Sequence, residues 1–220
     1  MVTYEELLKD RGVRAYIKAA DESLAALGYT EHSIAHVAGV AERAAGILEC
    51  LDYDAHTVEL AKIAGLLHDI GNMVNRVAHS QSGAIIAFRI LNDIGMDPED
   101  IATVVTAIGN HDEGNGTPVN DVAAALIIAD KSDVRRSRVR SKVGTVDYDI
   151  HDRVNGSVSS STLSVSDGKD KITLTLDIDT EKSSVMEYFE IFLERMLLCR
   201  KAAERLGLVF SLVINGATLI

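Results

Sequence analysis

No stretch of this sequence approaches the ~20 consecutive apolar residues that a membrane-crossing helix requires. The N-terminal MVTYEELLKDRG also lacks the apolar centre of a secretory signal. Both absences lead to the expectation of a soluble, cytoplasmic protein with no membrane partner. Cysteine is scarce: Cys50 and Cys199 are the two present, far apart inside helical patterns. They are expected to be reduced core residues rather than a disulfide. An excess of positive charge is missing too, since 22 basic against 33 acidic side chains give a formal net charge of −11. That balance argues against holding a long nucleic acid through its phosphates. A small anionic substrate stays open, because a bound cation can reverse the local field. No internal repeat and no long linker are visible.

What is present is ordinary globular composition, 47% hydrophobic and 25% charged over 220 residues, enough for one sizeable core with or without an appendage. The first two-thirds reads as consecutive helices. Val13, Tyr16, Ile17, Ala20, Leu24 and Leu27 share a helical period that closes at Gly28. A second helix is expected from a Thr30 cap to Leu51, with Ile34, Val37, Ala41, Ala45 and Leu48 inward. A third runs from Asp54 through Val58, Ala61, Ala64 and Gly65 to Gly71, and a fourth over Ser82–Ile94. Asp97-Pro98 opens a fifth, a capping side chain followed by proline at the first helical position. The sixth, from Asn120, is apolar (VAAALIIA) until Asp130. Past Lys142 the character changes. Ser157–Ser166 and Ile172–Ile178 look like strands joined by DGKD, Ser184–Leu206 is a long amphipathic helix, and Asn215-Gly216 marks a closing hairpin. The chain is therefore expected to be mainly α: a helical core over residues 1–142 and a small antiparallel α+β appendage over 143–220.

Seven histidines are scattered through the chain, and most stand alone. Five segments are different, because each brings an imidazole or carboxylate against apolar surface: His36, His68-Asp69, His79, His111 and Asp130. A carboxylate such as Asp130 behind VAAALIIA is costly to bury unless it is paired or holds a metal. One shared cation site would serve all of them, and imidazole with carboxylate suits Fe, Mn, Zn, Co or Ni better than calcium. Six ligands exceed what one ion with an open position takes. Two divalent ions about 3.5–4 Å apart, bridged by Asp69, would use the whole set and activate water for attack on phosphorus.

"HVAGVAERA" from His36, "AGLLHDIGN" around His68-Asp69 and "LIIADKSD" around Asp130 resemble the H…HD…D signature of the HD-domain superfamily of metal-dependent phosphohydrolases. His79 in "HSQSGA" and His111 in "AIGNHD" resemble its two-metal members, one group of which hydrolyses diadenosine polyphosphates. The resemblance covers Thr30 to Arg136. It implies an HD-type helical bundle, a first metal on His36, His68, Asp69 and Asp130, and a second on Asp69, His79 and His111. Two positions depart from the pattern: Asn72 stands where a lysine often follows HDIG, and Asn110 precedes His111 where a second histidine is frequent. The Gly-Tyr-Pro element of relatives that degrade cyclic dinucleotides is absent.

The expected activity is hydrolysis of a phosphoester or phosphoanhydride of a small molecule, such as a nucleotide, by metal-activated hydroxide. Asp69, Lys131 and Arg76 are the expected catalytic residues, and Asn72, Asn75, Arg76, Lys131 and Arg135 the expected substrate contacts. Lys131 heads a basic run with Arg135, Arg136, Arg138, Arg140 and Lys142 that reads as a phosphate clamp or as a solvated face. His32 is expected at the site entrance, His56 in solvent, Asp112 and Glu113 in an exposed loop, and the polar-flanked His151-Asp152 outside the site. The same ligands could instead hold two irons for oxygen chemistry, or serve a sensor without turnover. The stripe Phe189, Phe192, Met196 reads as core, with a homodimer face as the other possibility.

Overall fold

Side-chain caps set where the helices begin. A Thr3–Glu6 capping box starts α1 (Tyr4–Lys9), Asp10 caps α2 (Arg11–Ala26) and Ser33 caps α3 (Ile34–Cys50). Asp54 caps α4 (Ala55–Leu67), α5 (His79–Asp93) follows the left-handed residue Ala78, Asp97 and Pro98 open α6 (Pro98–Gly109), and Asn120 caps α7 (Asp121–Lys131). This is a computed structural model describing residues 2–140 and 150–219. The expected boundary at residue 142, and Lys142 itself, lie outside the described residues.

Several expected boundaries move. α3 starts after Ser33, whose hydroxyl accepts from the Ala35 N–H, and Thr30 lies in the preceding connection. α4 ends at Leu67, and a 3-10 turn over Ile70–Met73 follows it. α5 starts at His79 rather than Ser82. α1 and α8 (Ile150–Ser157) were not expected, being short and weakly patterned. Tyr16 and Leu27 lie on the exposed edge of the α2 stripe. Cys50 is exposed rather than core, and only Cys199 is buried; burial pushes its thiol up to about 12.

α3, α4, α6 and α7 enclose one apolar core in which Val122 through Ala129 are all buried. Close approach of α3 to α4 depends on Gly65, where an added Cβ would stand 2.5 Å from the Ala41 Cα. The C-terminal unit is a sheet of order β1-β2-β3-β4, formed by β1 (Val158–Val165), β2 (Lys171–Ile178), β3 (Val209–Ile214) and β4 (Ala217–Thr218). The two hairpins are antiparallel, the second turning on Asn215-Gly216, both at positive φ as a tight hairpin turn demands. The central β2–β3 pair is parallel. Helix α9 (Val185–Arg205) carries the chain across the sheet between those strands, which is what a parallel pair requires. α9 also packs on α7, burying Tyr188, Phe192 and Met196 inside the chain, so Phe192 and Met196 are core rather than a docking face. Among the described residues no helix is long and apolar enough to cross a membrane.

Candidate metal centre

Four imidazoles are locked in the same orientation. His36 Nδ1 meets Asp133 Oδ2 at 2.7 Å. His68 Nδ1 meets the Gly65 carbonyl at 2.8 Å, His79 Nδ1 the Arg76 carbonyl at 3.1 Å, and His111 Nδ1 the Ile108 carbonyl at 2.7 Å. Each of these partners is an acceptor, so the hydrogen-bond network assigns the proton to Nδ1 and leaves the Nε2 lone pair pointing inward. His68 follows directly on the end of α4 and His111 lies two residues past the end of α6, so each ring bonds a carbonyl of the last helical turn.

The inward atoms lack normal partners. Nε2 of His36 and of His68 are fully buried without a hydrogen bond, a costly state unless a cation accepts the lone pairs. His79 Nε2 and His111 Nε2 face each other at 3.2 Å; with both Nδ1 atoms protonated, two lone pairs oppose one another, and the Arg76 guanidinium stands 3.2 Å from His79 Nε2.

Two carboxylates complete the set. Asp69 Oδ2 lies 3.5 Å from His36 Nε2 and 3.2 Å from His68 Nε2, while its Oδ1 lies 3.6 Å from His79 Nε2. Asp130 Oδ1 is 3.4 Å from His36 Nε2 and 3.6 Å from His68 Nε2. Donor atoms bonded at ~2.0–2.2 Å to one ion sit roughly 3.0–3.5 Å from each other, close to these separations. His36, His68 and Asp130 form one group of converging donors, and His68, Asp69 and His111 form a second. The residues therefore fit a divalent metal centre, with the two oxygens of Asp69 facing opposite halves as a bridging carboxylate would.

The electrostatics reflect how closely these acids and imidazoles are packed. Burial would depress the His68 imidazole, but Asp69 and Asp130 outweigh it and lift its pKa to about 10. Burial would raise the Asp69 carboxyl, yet His68 and His32 hold it well below its usual range. Asp130 is held low against burial by Lys131 and by the imidazoles of His36 and His68. His111 is pushed down by burial and by the charges of His68 and Lys131, so it stays neutral and available as a donor.

The centre opens into a cavity of ≈ 430 Å³. Arg76, Lys131, Arg138 and Arg195 line it. Arg76 Nη1 lies 3.2 Å from His79 Nε2, and its guanidinium stacks over the Tyr29 ring. Lys131 Nζ lies 2.9 Å from Asp130 Oδ2 and 2.6 Å from Glu113 Oε2. Those carboxylates overcome burial and hold the ammonium at about 12. Glu113 Oε1 accepts in turn from Arg195 Nε at 2.8 Å, tying α9 to the metal-facing end of α7. His32 lines the cavity 4.0 Å from Asp69 Oδ2, and His56 is exposed.

Three expected substrate contacts are not in the cavity wall. Asn72 is fully buried and donates to Asp69 Oδ1 at 2.9 Å, so it orients the Asp69 carboxylate instead of a phosphate. Asn75 is exposed and accepts from the Val77 N–H. Arg135 turns away to Asp133 Oδ1 at 3.0 Å. Much of the basic run is spent on backbone: Arg136 holds the Gly156 carbonyl, Arg138 the Glu31 and Asp133 carbonyls, and Arg140 the Tyr29 carbonyl. Glu113 is not an exposed loop acid but part of the cavity wall.

Sequence reasoning missed Arg195 and Asp133, and it set aside Asp152. Arg195 sits on a helix outside the motif region and carries no local signal. Asp133, three residues past Asp130 in "ADKSD", was visible as the lone acid of a basic run, which is what a buried carboxylate serving Arg43, Arg138 and His36 looks like.

The HD domain family model matches residues 31–135. An uncharacterized protein of Methanocaldococcus jannaschii is 28% identical over 171 residues, covering 67% of this chain and 65% of its own length; this chain thus spans about two thirds of that relative. The crystal structure of a predicted HD superfamily hydrolase from an uncultured Thermotogales bacterium is 27% identical, with a TM-score of 0.45, covering 57% of this chain and 68% of that one. All six converging donors, from His36 to Asp130, fall inside the residues that match the HD domain family model.

Proposed function

We propose that the protein is a metal-dependent phosphohydrolase acting on a phosphoester or phosphoanhydride of a small molecule. His36, His68, Asp69 and Asp130 hold one divalent ion, and Asp69, His79 and His111 hold a second. The carrying observation is the set of inward Nε2 atoms, two buried without partners and two opposed at 3.2 Å. When bound, such a pair of ions supplies a water of lowered pKa and Lewis-acid contacts to phosphoryl oxygens.

The chain's own residues do the rest. Asn72 keeps Asp69 turned so that its two oxygens serve the two halves. Arg76 and Lys131 place fixed positive charge at the cavity edge, where a phosphoryl group gains charge in the transition state. Glu113 prevents Lys131 from collapsing wholly onto Asp130 by sharing its ammonium. The cations Arg76 and Lys131 in the cavity lining favour a phosphoryl substrate over dioxygen, which needs no such charge.

Elemental analysis of purified protein, followed by assay of the metal-loaded sample on phosphomonoesters, nucleotides and dinucleoside polyphosphates, tests this. About two transition-metal ions per chain and turnover of at least one class are expected. A fully loaded protein inert on every class would overturn the proposal.

A further inference from the structure

Asp152, the acid of the second His-Asp dipeptide, lines the site after all. Asp152 and Asn155, one helical turn apart on α8, both line the cavity that holds Asp69 and Asp130, and each is 7% exposed. α8 is firmly placed. The Gly156 carbonyl near its end accepts from Arg136 Nε at 2.9 Å, and Arg153 pairs with Glu187 of α9 at 2.6 Å. Neither Asp152 nor Asn155 belongs to the matched residues 31–135, and neither is among the converging metal donors.

The cavity lining therefore carries two kinds of polar side chain. One, the cations of Arg76, Lys131 and Arg195, suits a phosphoryl group. The other is a carboxylate and a carboxamide from α8. A carboxylate accepts hydrogen bonds and donates none, and a carboxamide does both. That pairing suits hydroxyl groups and repels a second phosphate.

Resting on the phosphohydrolase reading, we propose that Asp152 and Asn155 are specificity-determining residues that receive hydroxyls of the substrate's organic part. The site thereby selects phosphomonoesters of hydroxyl-rich compounds with a single phosphoryl end. The preference for hydroxyl-bearing substrates comes from the C-terminal unit, and the metal chemistry from the HD domain.

The test compares metal-loaded wild type with Asp152→Asn and Asn155→Ala on ribose 5-phosphate and on phenyl phosphate, which has the ester but no hydroxyls. The ratio of kcat/KM values, ribose 5-phosphate over phenyl phosphate, is expected to fall about tenfold in each variant, mainly through KM, as lost hydrogen bonds to substrate hydroxyls require. Calorimetric titration with a non-hydrolysable phosphonate analogue of ribose 5-phosphate should show a matching loss of affinity at unchanged metal content. Two folded variants with unchanged ratio and unchanged affinity would overturn this inference and leave the phosphohydrolase reading standing. Wild type inert on both esters but active on a phosphoanhydride would overturn this inference alone, whereas wild type inert on every phosphate class would strike the phosphohydrolase reading, and this inference with it.

Discussion

His36 and His79 present the same ring atom to the centre from opposite kinds of surroundings. His36 lies in the first turn of the Ser33-capped α3, and its Nδ1 is held by Asp133, a buried carboxylate that also takes Arg43 at 2.8 Å and Arg135 at 3.0 Å. His79 is the first residue of α5, follows a left-handed alanine with φ 57°, and begins a helix with no side-chain cap. Its Nδ1 rests on a backbone carbonyl at 3.1 Å, with the Arg76 guanidinium beside the ring. One half of the centre is thus built into the packed core, and the other depends on a short connection. Binding strength should follow that difference: the His36 half tight, the His79 half weaker and more easily exchanged.

The most damaging way to abolish the contrast is to remove the residue both halves share. Asp69→Ala is expected to strip both ions and lower turnover by at least ~10³-fold, several kcal/mol of transition-state stabilisation; metal analysis alongside the assay checks it. His79→Ala should separate the halves, leaving about one ion per chain with activity greatly reduced, and loss of both ions would refute the division. Asp133→Asn keeps all six donors but weakens the support behind His36. A drop of about 10–100-fold in affinity for the tighter ion is expected, read by competition with a chelator. Gly71→Ala acts on the other half. Its Cβ would fall 1.9 Å from the His79 carbonyl oxygen, so α5 must shift. A loss of about 1–3 kcal/mol in unfolding free energy should accompany release of the weaker ion before the tighter one.

Much of the fold could be read from periodicity and caps. Asp54, Asp97-Pro98, Asn120 and Ser184 each start a helix in the structure, because a capping oxygen satisfies N–H groups that any helix start leaves bare. The six donors were legible for a related reason. A buried ionisable residue in an apolar run needs a partner, and the run itself is visible in sequence. Arg195, Asp152 and Asn155 were not legible, because they reach the cavity only through the packing of α9 on α7 and of α8 beside them. Nothing in "YDIHDRVNG" or "FLERML" signals a cavity. Asn72 and Arg135 show the converse error: proximity in sequence to a ligand suggested substrate contact, whereas side-chain direction gave them to Asp69 and Asp133.

The bond from His68 Nδ1 to the Gly65 carbonyl makes the ring both a ligand and the stopper of the last turn of α4. Fraying of that turn and escape of an ion become a single event. Occupancy of the centre should then be written into the amide exchange rates at the close of α4, so that a solvent-exchange measurement could report loading without touching the chemistry at all.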